Sequence, residues 1–238
     1  MARELPPTSA FAGDDGSTDP HLGAALALTG APERLRAVVD ALGRARVLVP
    51  VVAHLDEVAE EVAGAGGMPI AGEKQASAAM VTVATPDGRS AMPVFSALQA
   101  LHAWRPDARP IPVPGPQAAL ATVTESDGLL VLDPAGPVPV LVPRPAVWAL
   151  AQGRAWVPPA GDDQLRAQVG AALRKVPGVA TVELEDAPGG ATTVVLGVPA
   201  GLSRAQVAQI TSRAGAELAR CDLVAERVDA VQLRLRAC

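Results

Sequence analysis

Three histidines, His21, His54 and His102, and two cysteines, Cys221 and Cys238, are the side chains best suited to metal binding or nucleophilic work. No two histidines stand at i, i+4 and the cysteines form no Cys-x-x-Cys pair, so the local spacings of a zinc or dithiol site are missing. An enzyme reading would rest on His102 or His54 working with a distant carboxylate. Gly64-x-Gly66-Gly67 is not a dinucleotide fingerprint, and there is neither a P-loop nor a Gly-x-Ser-x-Gly elbow. Asp14, Asp15 and Asp19 around Gly16 lack the ligand alternation and terminal Glu of a calcium loop, and read as turn and cap residues. Glu183/Glu185 read as a wet strand face and Asp162/Asp163 as a helix start. No metal, cofactor or catalytic residue is expected. The five aromatics, Phe11, Phe95, Trp104, Trp148 and Trp156, are too scattered for a nucleic-acid stacking platform. Trp104 and Trp148 read as core residues on helices, and Trp156 as a contact between two domains.

The elements that would hold these residues follow from periodicity and breakers. Residues 1–18 are polar and turn-rich, and are expected to form a flexible arm, ordered only where it docks. Asp19-Pro20 starts a helix that Gly30 stops. From Pro32 a second helix carries Leu35, Val38, Val39 and Leu42 on one stripe. Arg46 to Val52 reads as a strand buried on both faces. Residues 56–76 read as an acidic, then glycine-rich loop. Met80 to Ala84 and Ser90 to Phe95 flank Pro86-Asp87-Gly88 as a hairpin. Ser96 is expected to cap a helix over Leu98 and Leu101, and Arg109-Pro-Ile-Pro-Val to lie at a sheet edge. A helix over Gln117–Glu125, strands over 128–133 and 138–142 and a helix over Arg144–Gln152 complete an N-terminal domain of residues 19–152, a mixed sheet with flanking helices. A linker over 153–161 leads to residues 162–236. There the order α-β-β-α-β predicts a second domain with an antiparallel sheet, so the fold class is α+β.

Hydrophobic residues make up 49% and charged residues 19% of the 238, which excludes a disordered chain. The 48 Ala, 22 Gly, 23 Pro and 18 Arg share GC-rich codons and point to a high-GC bacterial genome. A net charge of -5, with no basic cluster longer than Arg234-Leu-Arg236, argues against nucleic acid and anionic membrane as partners. No signal peptide or spanning segment is visible, so cytoplasmic residence is the expectation.

Several segments in order are familiar: Phe11-Ala-Gly-Asp-Asp-Gly-Ser-Thr-Asp-Pro-His-Leu, Arg46-Val-Leu-Val-Pro-Val-Val, Glu73-Lys74 before Met80-Val-Thr-Val, Met92-Pro-Val-Phe-Ser, Leu101-His-Ala-Trp104-Arg and Leu130-Val-Leu-Asp133-Pro134-Ala-Gly136-Pro137. Together they resemble the SseB N-terminal domain family, the enhanced serine sensitivity proteins, and residues 162–236 look like the partner domain usual in that family. The resemblance implies no catalytic residues. The expected role is a non-catalytic protein that binds a protein partner or itself, with proline-marked strands at a sheet edge as one motive. A small-molecule sensor, for an amino acid as the family name suggests, is the alternative. The candidate surface is Glu73, Lys74, His102, Trp104, Asp133 and Pro134. Asp133 is expected to cap its turn through a backbone N–H two residues on, at a cost of about 0.5–2 kcal/mol for Asp133→Ala. The rival expectation is an exposed acidic tip offered to a partner.

Overall fold

The computed structural model describes residues 11, 13–53 and 78–238. His54, Glu73, Lys74 and the glycine-rich stretch lie outside them.

Asp19 opens α1 (Pro20–Leu26), its carboxylate accepting from the N–H groups of His21 (2.9 Å) and Leu22 (3.1 Å). In α2 (Ala31–Leu42) the expected stripe of Leu35, Val38, Val39 and Leu42 is buried. Strand β1 (Arg46–Ala53) is indeed two-faced. Val47 and Val49 enter one apolar cluster with α2, while Leu48 and Val52 enter another with Phe95 and Leu101.

Two sheets make up this half. The first runs β2 (Ala78–Met80), β1, β5 (Arg109–Pro114), all antiparallel. The second runs β3 (Val83–Ala84), β4 (Ser90–Val94), β6 (Leu129–Leu132), β7 (Val140–Val142), with β4 and β6 parallel. The hairpin around Gly88 exists, but only Val83–Ala84 pair with β4; Met80 belongs to the other sheet. Just past β4, Phe95 exchanges both backbone bonds with Leu48 at 2.9 Å, which joins the sheets. Helices α3 (Leu98–Trp104), α4 (Gly115–Glu125) and α5 (Arg144–Ala151) cover them.

Strand β5 lies at the expected edge, and its prolines have a definite orientation. Phe95 takes the backbone groups of Leu48, so Val47, Val49 and Val51 turn theirs toward β5, opposite Val113, Ile111 and Arg109. Pro110, Pro112 and Pro114 therefore line the outer rim, which offers carbonyls but no N–H at those positions. Such a rim blocks strand addition.

The second half comprises α6 (Asp163–Leu173), β8 (Thr181–Asp186), β9 (Thr192–Val198), α7 (Arg204–Ala219), α8 (Asp222–Arg227) and β10 (Val231–Ala237). Ser203 and Gln206 form a capping box at α7. The class is α+β, as expected, but the sheet is not wholly antiparallel: in the order β10-β9-β8, β10 runs parallel to β9. The cause is the connection. Helices α7 and α8 carry the chain back along the sheet, a crossover that only parallel neighbours need. Alternate residues Val182, Leu184, Val194, Leu196, Leu233 and Leu235 pack toward α6 and α7. The opposite face is charged, as expected of the wet side. Arg236 reaches Glu183 (2.9 Å) and Glu185 (3.1 Å), and Arg234 also pairs with Glu185. These exposed pairs contribute little as ion pairs. Val195 lies on β9 between them and is only 1% exposed, a position the long flanking side chains can cover with their stems.

The apolar clusters of the two halves are separate. Between them, Arg89 forks onto Asp229 with bonds of 3.0 and 2.9 Å, and the Asp229 side chain is 2% exposed. The turn at Pro188–Gly190 seats on Pro143 so closely that a Cβ on Gly190 would lie 2.7 Å from its ring. Arg89→Ala leaves a buried carboxylate without its cation, and is expected to lower unfolding stability by about 2–4 kcal/mol. Arg166→Ala removes a partner of the exposed Asp163, and should change stability by about 0.5 kcal/mol or less. Urea unfolding of both variants checks the contrast; equal effects would show that the Arg89 fork does not secure the halves.

Candidate functional site

Of the surface expected from sequence, His102 is exposed on α3 and Trp104 is half-buried. The Trp104 ring packs on Phe95 with centroids 5.3 Å apart, and the Arg105 guanidinium lies 5.1 Å from its centre. Pro134 is half-buried.

Asp133 departs from both expectations. It is 8% exposed, adopts φ +50°, and turns its carboxylate inward. Oδ1 accepts from the Ser96 N–H at 2.8 Å and Oδ2 from the Ser96 hydroxyl at 2.7 Å. The turn closes instead through the main chain, Gly136 N–H donating to the Asp133 carbonyl at 2.9 Å. Asp133 is thus neither a cap on its own turn nor an exposed tip. The partner lies 37 residues away in sequence, where no local pattern could show it. Ser96 is correspondingly not the cap of α3; Ala97 holds that position.

From Ser96 the network continues. Its carbonyl accepts from Arg46 Nη1 at 2.8 Å. Arg46 also grips Asp14 through two nitrogens and donates to the Ser17 carbonyl at 2.6 Å. The leading segment is therefore docked from Asp14 onward, with Leu98 N–H donating to the Gly16 carbonyl at 2.8 Å. The Arg46 guanidinium holds the Asp14 carboxyl below the usual carboxylate range. Burial pushes the Asp133 carboxyl up, against the opposing pull of its bonds from Ser96. Asp14, Asp15 and Asp19 each serve a turn, an arginine or a helix start. Among the described residues no cluster of three or more His, Cys, Asp or Glu side chains is placed to hold a metal ion.

Two larger concave surfaces lie elsewhere, around the segment after α5. One groove of about 590 Å³ is bounded by α5, residues 154–157 and the α8 end of the second half. Trp148 lines it and is 46% exposed, and Val157 is 54% exposed. Trp148 is therefore not a core residue. The short helix α5 buries Ala146, Val147, Ala149 and Leu150, and its indole falls on the remaining side. Arg144, Arg154 and Arg227 border the groove with Asp162 and Glu226. Arg227 binds Asp162 at 2.8 Å and approaches Glu226 at 3.8 Å, while among the described residues Arg154 has no side-chain partner and Arg144 only a 3.5 Å contact to the Ala225 carbonyl. Trp156 borders this groove and a second one beneath α1 and α2, and it packs against the N-terminal core, with its indole N–H buried and unpartnered. The sequence flagged Trp156 as a junction residue; nothing local marked Trp148 as outward-facing.

Asp133→Ala leaves the buried Ser96 N–H without an acceptor and puts Ala at positive φ, so a loss of about 2–4 kcal/mol is expected. Asp133→Asn keeps an acceptor, tolerates that φ and buries no charge, so its loss should be about 1 kcal/mol or less. The pH dependence has a definite sign. A carboxyl raised in the folded state binds more protons there than when unfolded, so its contribution falls as pH rises from about 4 through the folded-state value. Stability of the wild-type chain relative to Asp133→Asn should therefore improve on acidification through that window. A flat difference would contradict the buried carboxyl.

The family model described as SseB protein N-terminal domain matches residues 22–149. No curated protein and no solved structure matches the chain. The matched span runs from within α1 to within α5 and takes in both sheets, the Leu48–Phe95 junction and the Ser96–Asp133 bonds. With more than half of the 238 residues matched, the chain belongs to the SseB N-terminal domain family.

Proposed function

We propose that this SseB-family chain is a non-catalytic, cytoplasmic protein-interaction protein, and that a partner docks in the groove between α5 and α8. The observation that carries this reading is the exposure of Trp148 beside Val157 in a concave surface. Tryptophan and arginine are the side chains that most often dominate binding energy at interfaces. The rim charge selects the occupant. Three guanidiniums face two carboxylates, and both carboxylates are engaged by Arg227, so Arg144 and Arg154 remain for a partner. On a chain of net charge -5 this is a locally positive groove. It suits a protein segment that presents an apolar side chain flanked by carboxylates. The proline rim of β5 disfavours the other docking mode considered, strand addition at that edge. The buried acid Asp133 and the paired acids Asp14 and Asp162 all have structural work, which supports a non-catalytic role.

A photo-crosslinking residue at position 148 of the full chain, expressed in its native cell, tests the reading. A discrete crosslinked protein is expected, and Trp148→Asp should lose that protein in affinity purification while changing stability by about 1 kcal/mol or less. The reading fails if Trp148→Asp retains the same partner as the wild-type chain. A self-crosslink matched by dimer mass in light scattering would identify the partner as a second copy.

A further inference from the structure

The second groove, beneath α1 and α2, has a volume of about 870 Å³ and a chemistry of its own. Its apolar lining includes Val39 and Leu150, both nearly buried, and Leu28, which is 41% exposed. Around these stand Arg44 and Arg154, neither with a side-chain hydrogen bond or ion pair among the described residues. Arg44 follows the end of α2 directly and Arg154 follows the end of α5. The carbonyl ends of those helices favour a cation in that position. They leave the guanidinium N–H groups free for a ligand.

We infer that this groove binds a small organic carboxylate with an apolar body. An apolar concavity with a few polar groups is the usual form of a small-molecule site. A planar guanidinium matches a carboxylate through two parallel bonds. A phosphate dianion is the poorer fit, because Asp40, without a side-chain partner among the described residues, and Asp19, the cap of α1, both add negative charge to the lining. A purely cationic ligand is opposed by the two arginines, since Asp19 already accepts from the α1 N–H groups and Asp40 alone stands against them. Arg154 and Trp156 line both grooves, whereas Arg44 lines only this one, so Arg44 separates the two sites.

The experiment titrates the full chain with hexanoate, phenylacetate, hexylamine and inorganic phosphate, read by calorimetry and by the melting temperature. Saturable binding of the two carboxylates is expected, with hexylamine and phosphate inert. Arg44→Gln should weaken carboxylate binding by about tenfold or more, as loss of a charge-assisted hydrogen bond does, while the melting temperature without ligand stays within a few degrees. Absence of binding by both carboxylates, equal binding of hexylamine or phosphate, or unchanged affinity in Arg44→Gln each overturns the assignment. Trp148→Ala, which adds no charge beside Arg154, should leave hexanoate binding intact, so failure of the docking groove and failure of this site are told apart.

Discussion

A buried carboxylate must have its acceptors filled, and in this protein one serine fills them both. Asp133 receives the amide and the hydroxyl of Ser96, and the geometry of the N-terminal half converges on that residue. Phe95, one position earlier, is the only described residue outside the named strands that bridges to one, and it joins β4 to β1. The Ser96 carbonyl takes Arg46 from the start of β1, and Arg46 takes Asp14 and Ser17 from the leading segment. Two sheets and a strap thus meet at Ser96 and Arg46. Such a network specifies one arrangement because any slip leaves a buried polar group unpaired, at a cost of about 1–3 kcal/mol each. The left-handed backbone of Asp133 is the strained element that this arrangement holds in place.

The halves are joined by a different device. Arg89 and Asp229 form a fork in which one member is dry, and Gly190 admits Pro143 at a distance no side chain would allow. Contacts of this kind fix the halves by polar geometry and close approach, so the surfaces beside them remain open. The segment from Gly153 to Val157 crosses that junction and supplies walls to both grooves. Its Trp156 is anchored on the N-terminal core, which makes the shared wall an extension of that core. The proposed binding surface thereby depends on the same packing that stabilises the fold.

Local pattern made much of this legible. The stripe of α2, the two-faced β1, the edge position of β5 and the wet face of Glu183 and Glu185 all follow from spacing and residue type, because burial of a single element decides them. The failures share a cause too. Asp133 and Ser96 both carry strong local signals, as turn and cap residues, and a bond between distant segments overrides those signals. The direction of β10 depends on how far α7 and α8 carry the chain, which alternation along the strand does not encode. Trp148 looked like core because a large apolar residue on a helix usually is, and only the packing of an eight-residue helix shows which side it takes. Of the candidate surface, Trp104 and Asp133 serve packing and bonding, while the grooves were invisible because each is assembled from segments distant in sequence.

Native-state hydrogen exchange at the Ser96 amide tests the Asp133–Ser96 junction most directly. Ser96 lies outside regular secondary structure, where amides ordinarily exchange quickly. If its bond to Asp133 is the closure on which the sheets and strap depend, this amide opens only with the whole domain. Its exchange free energy then equals the global unfolding free energy and falls in step with it in urea. Exchange at the rate of the exposed turn residues Ala135 and Val138, independent of urea, would contradict the account.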